Sequence, residues 1–331
     1  MPEIAEVRLV TDNVRDFLKG NILTEIKIVT ENYRQARKLT GVEKILPQLV
    51  VDVKTKGKFS YLLLENGDAI GYGLGMSGNI RVEPTPEYLA LYNKNMGKNV
   101  TAKEYLKHAH LKIKYQDVTD GSIKHFYYHD IRRFGTWEYL QPADLQKKLK
   151  TIGSDLIDEE LTREQAVNLM RKYNNKNICA ALMGQKMLGG VGNYMKAEIL
   201  YDCKIWPFAK ICDLSDDELH NIYLASRDIA YRAYTYGGAA LYTYTGMNGD
   251  QSDFKTQLRI YNRRNDPKGN PVEIINDKMS PDKRTTHWVP AVQTVGQTGE
   301  SMAARRPKLK IIMGTKPKPK VKLTIKPKLG R

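Results

Sequence analysis

Between residues 5 and 18 the apolar side chains of Val7, Val10, Val14, Phe17 and Leu18 recur three and four positions apart, and that spacing predicts an amphipathic helix. The period then shortens. Apolar, β-branched and aromatic runs at 26–29, 49–53, 61–64, 80–82, 111–115 and 125–128 are punctuated by Gly, Asn, Asp and Pro, as in NGD at 66–68. They predict a series of short strands. To about residue 140 the chain reads as a β-sandwich or barrel with one helix attached. Near Pro142 the pattern changes and is helical from 145 to 232. There, Thr162 with Gln165 and Ser215 with Glu218 have the spacing of a capping box. Segment 234–250, rich in Gly, Tyr and Thr, is expected to be a connecting loop. Beyond it 258–261, 272–275 and 285–289 predict strands, with DPKGN at 266–270 as a turn, so a small β-ribbon closes the patterned region.

Composition narrows the function classes. The chain has 331 residues, 41% of them apolar, which is enough for more than one core. No apolar run approaches the roughly 18 residues of a membrane span. The start, MPEIAEVRLV, is acidic where a signal peptide is basic, so an intracellular, non-secreted protein is expected. Cys179, Cys203 and Cys212 match neither a disulfide framework nor a zinc pattern and read as reduced core thiols. Net charge is +16, which favours a polyanionic partner, nucleic acid before an anionic membrane. Residues 296–331 hold eight Lys and three Arg against one Glu, so most of that charge sits in a tail that reads TKPKPKVKLTIKPK near its end. Alternating Lys and Pro builds neither helix nor core, and the tail is expected to be a disordered basic arm. It reads as a solvated tag, a phosphate-binding tether or a nuclear address.

Two features bear on chemistry. In GQKMLGGVGNYMKAEIL (184–200) the glycines mark a tight turn into a helix near Tyr194. A glycine loop before a helix presents free backbone N–H groups, a phosphate site that needs no side chain. His108 with His110, and His125 with His129, sit two and four residues apart, but each pair lacks a third ligand and reads as ordinary polar residues.

Five blocks in order then carry a resemblance. PEIAEV (2–7), GMSGNIRV (75–82), DIRRFGTW (130–137), GGVGNYMKAEIL (189–200) and KRTTHWVPAVQ (283–293) are similar to the formamidopyrimidine-DNA glycosylase and endonuclease VIII family. Two departures stand out. Ala5 occupies a position where the family usually has proline. Val289 and Val292 stand where its zinc finger has cysteines, and no cysteine follows Cys212. The finger therefore resembles the zincless branch typified by vertebrate Nei-like glycosylases, in which strand pairing and packing replace the metal. The implied architecture is α+β and multidomain. It comprises a β-sandwich with flanking helix (1–141), a helical domain with a helix–two-turn–helix (142–249), a zincless β-ribbon finger (250–295) and the basic tail (296–331).

The resemblance implies a bifunctional glycosylase and apurinic/apyrimidinic lyase of base excision repair. Oxidised pyrimidines and ring-opened purines are its implied substrates. No cofactor and no metal are implied, the partner is damaged DNA (duplex or single-stranded), and a monomer in the nucleus or at a site of DNA replication is expected. Removal of Met1 leaves Pro2 with a terminal amine, whose ordinary pKa is roughly 7.7–8.0, free to attack the sugar C1′. Glu3 is the implied acid/base; its bland role is charge complementarity at a helix start. Glu6 is expected to order the terminus. Lys58 matches the lysine that approaches the lesion's phosphate, with Lys54 and Lys56 near enough to compete for the register. Met76, Arg132 and Phe134 match residues that fill the hole left by an extruded base; otherwise they read as core and surface residues. Asn193 and Arg284 match phosphate-binding residues of the helix–two-turn–helix and the finger, and otherwise a helix cap and a turn charge. Arg259 and Tyr261, in LRIYN, match residues beside the extruded base. Two other readings compete with the enzyme: a lesion-binding protein without catalysis, and a general basic nucleic-acid binder driven by its tail.

Overall fold

The computed structural model describes residues 2–31, 33, 38–239 and 254–297. Residues 298–331 of the expected tail and most of the connecting segment expected at 234–250 lie outside the described residues.

Helix α1 (Ile4–Leu18) leads into strands β1 (Ile22–Ile28), β2 (Gln48–Lys56), β3 (Phe59–Leu64), β4 (Ala69–Gly73) and β5 (Gly78–Val82). Two helices, α2 (Pro86–Met96) and α3 (Ala102–Tyr105), precede β6 (Ala109–Gln116), β7 (Ile123–Asp130) and β8 (Thr136–Leu140). The strand order is β5-β7-β6-β1-β2-β3-β4-β8, every neighbour antiparallel. Only Ile22↔Leu49 and Leu23↔Gln48 pair β1 with β2, so the sheet folds there into two four-stranded layers. Leu23, Ile80, Leu111, Ile113, Phe126 and Tyr128 from one layer meet Val50, Val53, Leu62, Leu64, Ile70, Tyr72 and Trp137 from the other. Trp137 joins the layers: it stacks on Tyr72 at 4.8 Å and meets Tyr128 edge-on at 5.3 Å. The sequence pattern left out β4 and β8, which are short and, in AIGYG, weakened by glycine. It also left out α2, whose Thr85 cap, Pro86 and left-handed Gly97 are the ordinary start and stop signals.

The second layer of structure is helical. It runs through α4 (Pro142–Lys150), β9 (Ser154–Asp155), α5 (Arg163–Arg171), α6 (Ile178–Met183), β10 (Leu188–Gly189), α7 (Asn193–Asp202) and α8 (Asp216–Thr235). Both expected capping boxes are present, at Thr162 and Ser215. Helix α7 is buried from Tyr194 through Tyr201 and has no polar stripe, as a helix enclosed on all sides requires. After α9 (Phe254–Gln257) the chain closes with the hairpin β11 (Glu273–Ile275) and β12 (Thr286–Trp288). Residues 258–261 are not a strand. The backbone N–H groups of Arg259, Ile260 and Tyr261 all donate to the buried carboxylate of Glu198, at 2.8–3.0 Å, so a side chain satisfies donors that a partner strand otherwise takes. Of the three thiols only Cys179 is a buried core residue; Cys203 is half-buried and Cys212 exposed, which corrects the reading of all three as core.

Helix α1 belongs to both cores. Val7, Val10, Val14 and Leu18 pack in the sandwich, whereas Ile4 and Ala5 pack among Leu188, Val191 and Met195 of the helical domain. The first residues of the chain are therefore held at the seam.

Candidate active site

Three segments meet at that seam: the chain start, the β2–β3 turn and the glycine loop before α7. Gly190 O accepts a 3.1 Å hydrogen bond from Ile4 N–H, and a Cβ on Gly190 would lie 2.5 Å from that of Ile4. A Cβ on Gly192 would lie 2.3 Å from the carboxyl carbon of Glu3. Glycine is required at both places because the chain start occupies the space a side chain needs. On the β2–β3 turn, Gly57 N–H donates to Asp155 Oδ2 at 2.6 Å and fixes the turn against β9.

The Glu3 carboxylate fills the N-terminus of α7. It accepts from the backbone N–H of Gly192 (2.8 Å), Tyr194 (2.9 Å) and Met195 (3.2 Å). The expectation of a phosphate cradle at this helix start is therefore corrected: three of its backbone donors are taken by the protein's own carboxylate. Glu3 is 2% exposed, and burial pushes its pKa up to about 7, against the opposing pull of Lys58 and with a further push from Glu6. Glu6 accepts from Glu3 N–H at 2.7 Å, from Ala239 N–H and from the Tyr194 hydroxyl. It orders the terminus, and burial raises its own pKa. Pro2, next to Glu3, is buried.

Of the three lysines, Lys58 is the one that reaches the glycine loop at the seam. Its Nζ donates to Val191 O at 2.8 Å, whereas Lys56 pairs with Glu159 at 2.9 Å and Lys54 lies 3.9 Å from Asp52. Burial holds the Lys58 pKa below the ordinary lysine value; the charges of Glu3 and Glu6 oppose that, and Arg284 adds to it. The seam thus places a carboxyl ready to give a proton near neutral pH beside an amine with reduced hold on its own. This is the pairing of groups expected of an acid–base site.

The residues expected to fill the hole left by a base stand on two adjoining loops. Asp130 is fully buried and ties them. It accepts from Ser77 Oγ (2.5 Å), Arg132 N–H (3.2 Å) and Gly135 N–H (2.8 Å). A Cβ on Gly75, itself at φ +62°, would meet the Phe134 carbonyl carbon at 2.5 Å, so the loops touch along their backbones. Above that base Phe134 is 52% exposed with the Arg132 guanidinium 5.1 Å over its ring, and Met76 is half-buried. The two loops thus join at a buried carboxylate and leave the Phe134 ring exposed.

The model of the formamidopyrimidine-DNA glycosylase N-terminal domain matches residues 1–137, and that of the C-terminal domain matches 248–294. Together they take in more than half of the chain. The chain belongs to the formamidopyrimidine-DNA glycosylase and endonuclease VIII family. The family comprises DNA glycosylases of base excision repair. Formamidopyrimidine-DNA glycosylase of Listeria monocytogenes is 25% identical over 299 residues, with 88% of this chain and 100% of the relative covered. That of Bacillus cereus is 27% identical over 300 residues, covering 88% and 99%. In fold, a Lactococcus lactis formamidopyrimidine-DNA glycosylase mutant, solved with DNA containing a formamidopyrimidine lesion, superposes with a TM-score of 0.72 at 22% identity. It covers 88% of this chain and all of its own.

The C-terminal region matched by the second family model, residues 248–294, is the one expected to form a zincless finger. It has no cysteine, and its one described histidine, His287, is buried, packed 4.9 Å from the Tyr261 ring, and pushed down by burial to a pKa of about 4. Among the described residues no three His, Cys, Asp or Glu are placed to hold a metal. A tetrahedral zinc does not fit this donor set. Arg284 is exposed on the turn before β12, and its charge reaches Lys58. Asn193 donates from Nδ2 to Thr285 O at 2.9 Å, a contact inside the protein that ties α7 to the residue after Arg284. Tyr261 lies with its ring 6.4 Å from that of Tyr194. Arg259 is not brought to the seam: its guanidinium is ion-paired with Asp202, lies 3.6 Å from Glu198, and stacks over Tyr201. Sequence reasoning missed Asp130, Glu198 and Lys196. Lys196 and Glu198, two charges inside the apolar run NYMKAEIL, were the available signal.

Proposed function

We propose that the chain is a bifunctional DNA glycosylase and apurinic/apyrimidinic lyase of the zincless-finger, Nei-like branch, acting on oxidised pyrimidines and ring-opened purines in damaged DNA. The observation that supports it most is the Glu3 carboxyl: buried, held by three backbone donors, raised to about pKa 7, and adjacent to Pro2. With Met1 removed, the Pro2 nitrogen attacks C1′ of the lesion's deoxyribose. The glycosidic bond breaks, its electron pair leaves with the base, and the base takes up the proton that the attacking amine loses. Protonated Glu3 gives its proton to the sugar ring oxygen as the ring opens, so an iminium joins Pro2 to C1′. The iminium acidifies the C2′ protons, and loss of one expels the 3′ phosphate; a second elimination expels the 5′ phosphate. Lys58 and Arg284 supply positive charge to the phosphates beside the lesion. Met76, Arg132 and Phe134 fill the space the base leaves, and Tyr261 lines the pocket it enters. The mildly basic body and the basic tail attract the DNA without selecting the lesion.

Borohydride reduction of the enzyme on lesion-containing DNA tests this. A covalent complex whose cross-linked peptide carries Pro2 at its start is expected, together with its loss in a chain that retains residues before Pro2. Undiminished trapping in the blocked chain would remove the terminal amine from the mechanism.

A further inference from the structure

Lys196 sits in the first turn of α7 with its side chain 0% exposed. A cation there is desolvated and lies near the positive end of the helix dipole, so it is costly without a partner. Its Nζ lies 2.5 Å from Asp282 Oδ2 and donates to Thr286 Oγ1 at 2.7 Å; the Asp282 side chain is itself only 2% exposed. The other carboxylate oxygen, Oδ1, accepts from Ser280 Oγ at 2.5 Å and from the backbone N–H of Arg284 at 3.2 Å. Ser280 and Thr286 close the ring at 3.0 Å. A second strut from the same helix, Asn193 to Thr285 O, grips the chain on the far side of Arg284. Between them Lys283 is held at φ +55°, a conformation that needs support from its surroundings in a non-glycine residue. Buried ion pairs add little net stability, so the geometry this one fixes is the better account of its presence.

We propose that Lys196 is a positioning residue. Through Asp282 it locks the turn that carries Arg284 onto α7, the same helix whose N-terminus holds Glu3, and so supplies the rigidity that the finger's missing metal ligands do not. The inference rests on the reading of Arg284 as a phosphate-binding residue.

The test is binding of the full chain to duplex DNA bearing a stable abasic-site analogue, measured across a salt series. Arg284→Ala is expected to weaken binding about tenfold and to reduce the slope of log K against log salt by about one. Lys196→Met with Asp282→Asn removes both charges, leaves no orphan ion to unfold the core, and keeps an oxygen for Ser280 and Arg284 N–H. It is expected to lower the slope by the same amount although Arg284 is intact. Added to Arg284→Ala, it is expected to change affinity by less than about twofold. A full salt slope in the paired variant, or losses that multiply in the triple variant, would overturn the positioning role. An unchanged slope in Arg284→Ala alone would instead remove the phosphate role of Arg284, and the inference with it.

Discussion

Oε1 of Glu3 accepts a 2.9 Å hydrogen bond from the backbone N–H of Tyr194, a residue of the helical-domain core. With the bonds from Gly192 and Met195, that contact makes the third residue of the chain the cap of a helix it does not belong to. The carboxylate is thereby fixed in position, while burial keeps its proton available near neutral pH. The same contact locks the chain start between sandwich and helical domain.

The pH dependence of base excision follows from this placement. Glu3 must be protonated and the Pro2 amine unprotonated to act, so the single-turnover profile is expected to have two limbs, and its alkaline limb falls as pH rises through about 7 with the loss of the Glu3 proton. Lys58 lowers the Glu3 pKa and Glu6 raises it. Lys58→Met is therefore expected to move the fall to higher pH, and Glu6→Gln to lower pH. Glu3→Gln is expected to cost about 100-fold or more and to abolish the fall. Profiles that stay in register across the three variants would remove Glu3 as the titrating acid.

Gly192→Ala tests the cap directly. The new Cβ would stand 2.3 Å from the Glu3 carboxyl carbon, and the carboxylate must swing off its three donors. Excision is expected to fall by about 100-fold, with a loss of about 1–3 kcal/mol in urea unfolding. A variant of normal rate would show that Glu3 works without this anchorage.

The Asp130-bound loops predict a substrate split. Filling a vacated base stack matters only where the strand is paired. Phe134→Ala and Arg132→Ala are each expected to slow excision from duplex DNA by roughly tenfold or more, because unstacking and unpairing cost a few kcal/mol. On a single-stranded lesion the same variants are expected to stay within about threefold. Equal losses on both substrates would place these side chains elsewhere in the reaction.

Local pattern was enough to read α1, eight of the strands and both capping boxes. These are properties of neighbouring residues: a period of three to four, an alternation of two, a hydroxyl three residues before a carboxylate or amide. The glycines of GGVG are legible as a tight turn, but their purpose is not, because the carboxylate that fills the helix end comes from nearly 190 residues earlier in the chain. What the fold alone decided is which of three lysines reaches the seam, which arginine is tied down at Asp202 instead of freed for a partner, and how far Glu3 is buried. Each depends on the solvent and charges that distant segments bring together. Desolvation and Coulomb energy are set by separation in space, which spacing along a chain does not encode.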